Sequence, residues 1–75
     1  MYNLMSGYKL SSSEKKQMNK FAEQFIGLSN NDSGSEIIAE YEFDGNHLNF
    51  YDKDFNLLSR LSVYELFHYD VIQRI

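Results

Sequence analysis

The apolar positions fall into five periodic segments separated by polar punctuation. Met18, Phe21, Ala22, Phe25 and Ile26 recur at the i, i+3, i+4, i+7, i+8 spacing that lines one face of an α-helix. Upstream, Ser11-x-x-Glu14 has capping-box spacing: the hydroxyl can accept a backbone N–H while the carboxylate reaches back. Gly27 follows the stripe, where a residue tolerant of left-handed backbone ends a helix. The pattern predicts a first helix from Ser11 to a stop at Gly27. Ser29 to Ser35 (SNNDSGS) has no apolar residue and reads as a connecting loop.

The period then changes to two. In Glu36–Phe43, alternation puts Ile37, Ala39, Tyr41 and Phe43 on one face and Glu36, Ile38, Glu40 and Glu42 on the other. Asp44-Gly45-Asn46 is a strong hairpin signal. In the next run Leu48 and Phe50 share the apolar face, while His47, Asn49 and Tyr51 point outward. A turn centred on Asp44-Gly45 sets Tyr41 against Leu48. One centred on Gly45-Asn46 sets Phe43 against Leu48 and Tyr41 against Phe50. Both registers keep the apolar faces together, which a one-residue slip would not.

A second turn, Asp52-Lys53-Asp54-Phe55, lets Phe50 oppose Leu57, with Ser59 and Leu61 on the inner face and Leu58 outside. Glycine is common where Phe55 stands, because positive φ costs it little. The phenylalanine therefore implies either a turn without positive φ or a ring anchored against the protein. Ser62-x-x-Glu65 repeats the capping-box spacing, and Val63, Leu66, Phe67, Val71 and Ile75 form the stripe of a last helix expected to run to the end.

These elements predict one α+β domain over residues 1–75. It is a small two-layer fold, a three-stranded antiparallel meander flanked by an N-terminal and a C-terminal helix (α-β-β-β-α). Residues 1–10 fit either an irregular arm or an extra strand.

Composition sharpens the picture. A chain of 75 residues has room for a single core and buries roughly 60% of the surface its unfolded form exposes. Six Phe and six Tyr must supply much of that burial, since there is no cysteine to form a disulfide. The lack of cysteine fits a reducing compartment, and a cytoplasmic location is the expectation. No apolar run is long enough to span a membrane. MYNLMSGYKL has neither the charged start nor the apolar core of a signal peptide. Usage is rich in Asn, Tyr, Phe and Lys and poor in Ala and Arg. That bias implies an AT-rich genome, such as that of a low-GC bacterium or one of its phages, and a phage or mobile-element accessory protein is the expectation.

Charge is uneven. Residues 1–20 hold four lysines against one glutamate, and residues 21–75 hold three cations against ten carboxylates, so the body is strongly acidic. That argues against direct nucleic-acid binding by the body. Lys15, Lys16 and Lys20 lie off the apolar stripe of the first helix and could meet phosphate, but no interleaved aromatics mark a nucleic-acid platform. Asp52-x-Asp54-x-Asn56 opens like a calcium loop, but Leu57 and Val63 stand where that loop needs Gly and Glu, so a turn with Asx hydrogen bonds is expected. His47 and His68 have no partner at metal-ligand spacing. No nucleophile, base and orienting group converge, and the expectation is no enzyme, no cofactor and no metal.

The outward sheet face is the most informative surface. Glu36, Glu40 and Glu42 project there, with Asp44, Asp52 and Asp54 at the turns and Ile38, Tyr51 and Leu58 beside them. With Phe55, these ten residues are the candidate contacts for a larger protein, because interfaces combine apolar anchors with complementary charge. The leading reading is a small acidic protein-binding module that inhibits or modulates its target. If that target handles nucleic acid, the carboxylates could stand in for phosphates, as in acidic anti-restriction or anti-CRISPR proteins, a similarity of size and charge only. The alternative is a self-associating structural domain, a homodimer joined through the third strand or through Ile38, Tyr51 and Leu58. A nucleic-acid binder using the lysine helix ranks third.

Overall fold

The structure, a computed structural model, describes residues 9–73. The question of an N-terminal arm or strand lies almost wholly outside these residues, as does Ile75. The elements are α1 (Ser12–Glu23), β1 (Glu40–Phe43), β2 (His47–Tyr51), β3 (Leu57–Ser62) and α2 (Val63–His68). The strands form one antiparallel sheet in the order β1-β2-β3, with a helix before and after it.

The first capping box forms in full. Ser11 Oγ accepts the Glu14 N–H at 3.2 Å, and Glu14 Oε1 accepts the Ser11 N–H at 3.0 Å. The helix ends earlier than its apolar stripe does. Past Glu23 the Phe25 and Ile26 amides bond back only three residues, to Ala22 and Glu23, so the chain tightens into turns. Gly27 takes the left-handed conformation, φ 89°. Phe25 still packs edge-on against Phe50, with centroids 5.6 Å apart, while Ile26 is left exposed.

Residues 36–39 do not join the sheet as expected. They fold back on the end of the first helical segment. Gly27 donates to the Ile38 carbonyl at 2.7 Å, Ile38 to Leu28 at 2.9 Å, and Asn30 to Glu36 at 2.7 Å. The expectation that Ile37 is core and Ile38 outward is reversed: Ile38 is 5% exposed and Ile37 45%. The cause lies at Tyr51. Ala39 donates to the Tyr51 carbonyl at 2.8 Å, although the Cα partner of Tyr51 is Glu40. Two residues face one there, and side-chain parity reverses between Ile38 and Tyr41.

The same thing happens on the other side of β2. Tyr51 pairs with Leu57 and Phe50 with Ser59, so Leu58 is the extra residue of a bulge. Phe50 therefore does not oppose Leu57. Leu57, expected in the core, is 52% exposed, and Leu58, expected outside, packs against the core.

The first hairpin takes the Gly45-Asn46 register, with Phe43 opposite Leu48 and Tyr41 opposite Phe50. Gly45 has φ 102°, and Asn46 is not among the positive-φ residues, the sign pattern of a type II′ turn. The Asn46 carbonyl accepts the Val63 N–H at 3.0 Å, which ties the start of α2 to this turn. Ser62 Oγ caps the helix through the Glu65 N–H at 3.3 Å. α2 does not run on as expected: Asp70 adopts φ 58°, and the Ile72 N–H reaches back to the Leu66 carbonyl. That turn buries Ile72 and leaves Val71 exposed, against its predicted place in the stripe.

The core lies between the inner sheet face and the helices. It joins Met18 and Ala22 of α1, Leu48 and Phe50 of β2, and Val63, Leu66 and Phe67 of α2, with Ile38 and Ile72 closing its ends.

Candidate binding face

Register defines the outer face. Glu40, Tyr51 and Leu57 lie in one row across the strands, and Glu42, Asn49 and Arg60 in the next. Asp44 and His47 close the first hairpin beyond them, with the Asp44 N–H on the His47 carbonyl at 3.1 Å.

Asp44 is the hub of that end. Its Oδ1 accepts the Asn46 and His47 backbone N–H groups at 2.9 and 2.7 Å. Its Oδ2 accepts Asn49 Nδ2 at 3.1 Å and Arg60 Nη2 at 3.2 Å. The two backbone donors, then Asn49 and Arg60, hold its carboxyl far below the usual carboxylate range. This carboxylate is engaged in structure rather than free for a partner.

Asn49 was expected to be a surface residue and is 4% exposed. Its Oδ1 meets no partner, and neither does His47 Nδ1, which stands 3.9 Å from Asp44 Oδ1. Alternation gives the face of Asn49 correctly. Its burial depends on a bridge between residues sixteen apart in sequence, for which strand periodicity carries no signal.

At the opposite end, the Tyr51 hydroxyl donates to Glu42 Oε1 at 2.9 Å. This hydrogen bond, with desolvation and the charges of Glu42 and Asp44, raises the phenol pKa above its ordinary value. The second turn is built on Asp52. Its Oδ1 accepts the Asp54 and Asn56 N–H groups at 2.8 and 2.9 Å, and its Oδ2 accepts Asn56 Nδ2 at 3.0 Å. The Asn56 side chain, then the Asn56 backbone, lower the Asp52 pKa. The Asx reading of this segment describes the turn as it stands.

Phe55 follows neither of its two expected courses. Its φ is 63°, and the residue is 67% exposed rather than anchored. The loop is Lys53-Asp54-Phe55, closed by Asp52 N–H on the Asn56 carbonyl at 3.1 Å, with Phe55 at the left-handed position where such loops favour glycine. Phe55, Glu40, Tyr41, Glu42 and Tyr51 line an open cleft of about 490 Å³.

Of the ten candidate residues, Glu40, Glu42, Tyr51 and Phe55 therefore come together. Ile38 and Leu58 are turned into or against the core. Glu36 sits on the folded-back ribbon, where its Oε1 accepts Asn30 Nδ2 at 3.0 Å. Asp54 lines a different hollow, with Ser35, Ile37 and Ala39. The acidic row is shorter than the sequence implied.

Two other surfaces stand apart from this face. Tyr64, His68 and Tyr69 form an exposed aromatic group, with His68 stacked on Tyr64 at 5.4 Å and edge-on to Tyr69 at 4.8 Å. Lys15, Lys16 and Lys20 are exposed on α1. Among the described residues, no three His, Cys, Asp or Glu side chains gather to hold a metal ion, and no helix is long and apolar enough to cross a membrane. No known protein family, curated protein or solved structure matches the chain.

Proposed function

We propose that this chain is a small, acidic, non-enzymatic protein-binding module that acts by occupying a basic surface on a larger protein. The observation that carries the reading is Phe55. A large aromatic side chain stands in left-handed backbone, where an L-residue is strained, and most of its ring is in water. The fold gains little from it, and strain of this kind gathers at functional positions. It borders a cleft whose other walls are two glutamates and two tyrosines. Aromatic anchors beside complementary charge are the usual energetic centre of an interface.

A phage or mobile-element inhibitor acting in the cytoplasm is the biological setting this reading favours. Phosphate mimicry by the sheet face fits less well. It needs a long row of free carboxylates, and both oxygens of Asp44 and of Asp52 already accept hydrogen bonds, from their own turns and, for Asp44, also from Asn49 and Arg60. A partner that contacts the face locally, around Glu40 and Glu42, is the better match.

Self-association is the second reading. The exposed Tyr64, Tyr69 and Val71 around the end of α2 favour it. The β3 edge favours it less, because Asn30 Nδ2 already occupies the Leu58 carbonyl at 3.1 Å. Light scattering over a range of concentrations separates the readings. A concentration-independent monomer removes self-association.

The main test is capture from a low-GC bacterial lysate at low and high salt, with wild type, Glu40→Lys/Glu42→Lys and Phe55→Gly as baits. A species held by wild type, released by salt and absent from both variants supports the reading. Equal capture by all three sinks it.

A further inference from the structure

We propose that the cleft at Phe55 receives an extended basic segment of the partner as a fourth strand on the edge of β1 that no described residue pairs. The inference rests on the binding-module reading and specifies how that face is used.

Among the described residues, the strand order leaves one edge of β1 unpaired. Asp44 N–H bonds the His47 carbonyl, so Asp44 faces β2, and the alternation of an antiparallel ladder turns Glu42 and Glu40 the same way. Tyr41 and Phe43 then direct their N–H and C=O groups away from the sheet. Among the described residues, none of these four groups meets a hydrogen-bond partner outside the ladder. Such a row is a template for an added strand.

Charge selects the occupant. Edges are commonly guarded by lysine, proline or an inward charge. This edge instead carries Glu40 and Glu42, both exposed, on its outer face. Pairing β1 with a second copy of itself would bring four glutamates together, and like charges directly opposite are destabilising. A segment with Lys or Arg at alternate positions would set a cation against each glutamate. Same-face positions of the incoming strand share the spacing of Glu40 and Glu42, about 6.6–6.8 Å. Its intervening residues would fall beside Tyr41 and Phe43, both half-buried, and would be apolar. Phe55 lines the same cleft as Glu40, so an arginine or lysine of the incoming strand can meet an aromatic ring there. Tyr51 holds Glu42 Oε1 in place, which fixes one of the two carboxylates before the strand arrives.

The probe is a capped hexapeptide alternating arginine and valine. A second version is N-methylated at the amides that would face β1, with the same charge and side chains. Binding is followed by fluorescence anisotropy and by amide exchange of Tyr41 and Phe43. The expected result is binding of the first peptide with at least tenfold slower exchange at both amides, and at least tenfold weaker binding of the methylated peptide. No binding of the first peptide at millimolar concentration overturns the inference. Equal binding of both peptides, abolished by Glu40→Lys/Glu42→Lys, also overturns it but leaves the acidic binding face standing. Equal binding of both that ignores the charge reversal overturns the inference and removes the acidic face with it.

Discussion

Asp44 and Arg60 stand on opposite margins of the sheet and still meet, Oδ2 to Nη2, at 3.2 Å. Asp44 follows β1 and Arg60 lies in β3, so the bridge spans the central strand at Asn49, which donates to the same carboxylate oxygen. One side chain thus closes the first hairpin, covers a buried amide and ties the outer strands together. An exposed ion pair alone contributes little. The weight here lies in the backbone and amide donors, because hydrogen bonds to a charged group are worth more than neutral ones.

That arrangement predicts acid sensitivity. The Asp44 carboxyl is depressed in the folded chain below its ordinary value of 3.8. A depressed carboxylate contributes stability above the unfolded pKa and loses it as pH falls toward the folded one. The free energy of unfolding in urea should therefore decline as pH drops below about 4. Asp44→Asn should cost about 1–2 kcal/mol at neutral pH, because its Nδ2 would face the Asn49 and Arg60 donors, and it should flatten the acid limb. An unchanged acid limb in the variant would place the sensitivity elsewhere.

The Tyr51–Glu42 contact gives an alkaline counterpart. A raised phenol pKa keeps its stabilisation below the unfolded value of about 10 and loses it as pH rises through the folded value. Phenolate absorbance should show one tyrosine that Glu42→Gln returns toward the ordinary range. Tyr41 is also raised, by burial first and by Glu23 second, and should not respond to the Glu42 change. A shift in Tyr41 rather than Tyr51 would contradict the assignment.

The element types and order were legible in the residues because each segment keeps one period and carries its own cap or turn. Ser11 and Gly45 act as their local sequence implies, and Ser62 caps α2 through its hydroxyl, whereas Gly27 turns the chain only after α1 has already ended at Gln24. The misplaced strand residues cluster around Tyr51, where the chain doubles up on both sides of one position. A bulge flips parity without changing composition, so Ile37 and Ile38, or Leu57 and Leu58, look interchangeable in a pattern. The candidate site suffered more, since Ile38 and Leu58 were drawn from those pairs. Substitution distinguishes them. Ile38→Ala should cost about 2–4 kcal/mol and Ile37→Ala within about 0.5. Leu58→Ala should cost about 1–2 kcal/mol and Leu57→Ala less than half that. Thermal or urea unfolding of the four variants checks the order, and equal losses within either pair would refute the bulge beside it.

Phe55 provides the sharpest separation of stability from function. A non-glycine residue in left-handed backbone costs about 1 kcal/mol relative to glycine. Its ring is mostly solvated, so removing it forfeits little apolar burial. Glycine enlarges the conformational freedom of the unfolded chain, which offsets part of the gain. Phe55→Gly should therefore leave stability between unchanged and about 1 kcal/mol higher, a rise of up to several degrees in Tm for a domain this small. The same variant should lose partner capture and weaken the basic peptide. Residues kept for folding do the reverse, lowering stability when removed. A melting temperature that falls by several degrees in Phe55→Gly would make the ring structural. Its strain would then serve the fold and not binding, whatever the capture experiment showed.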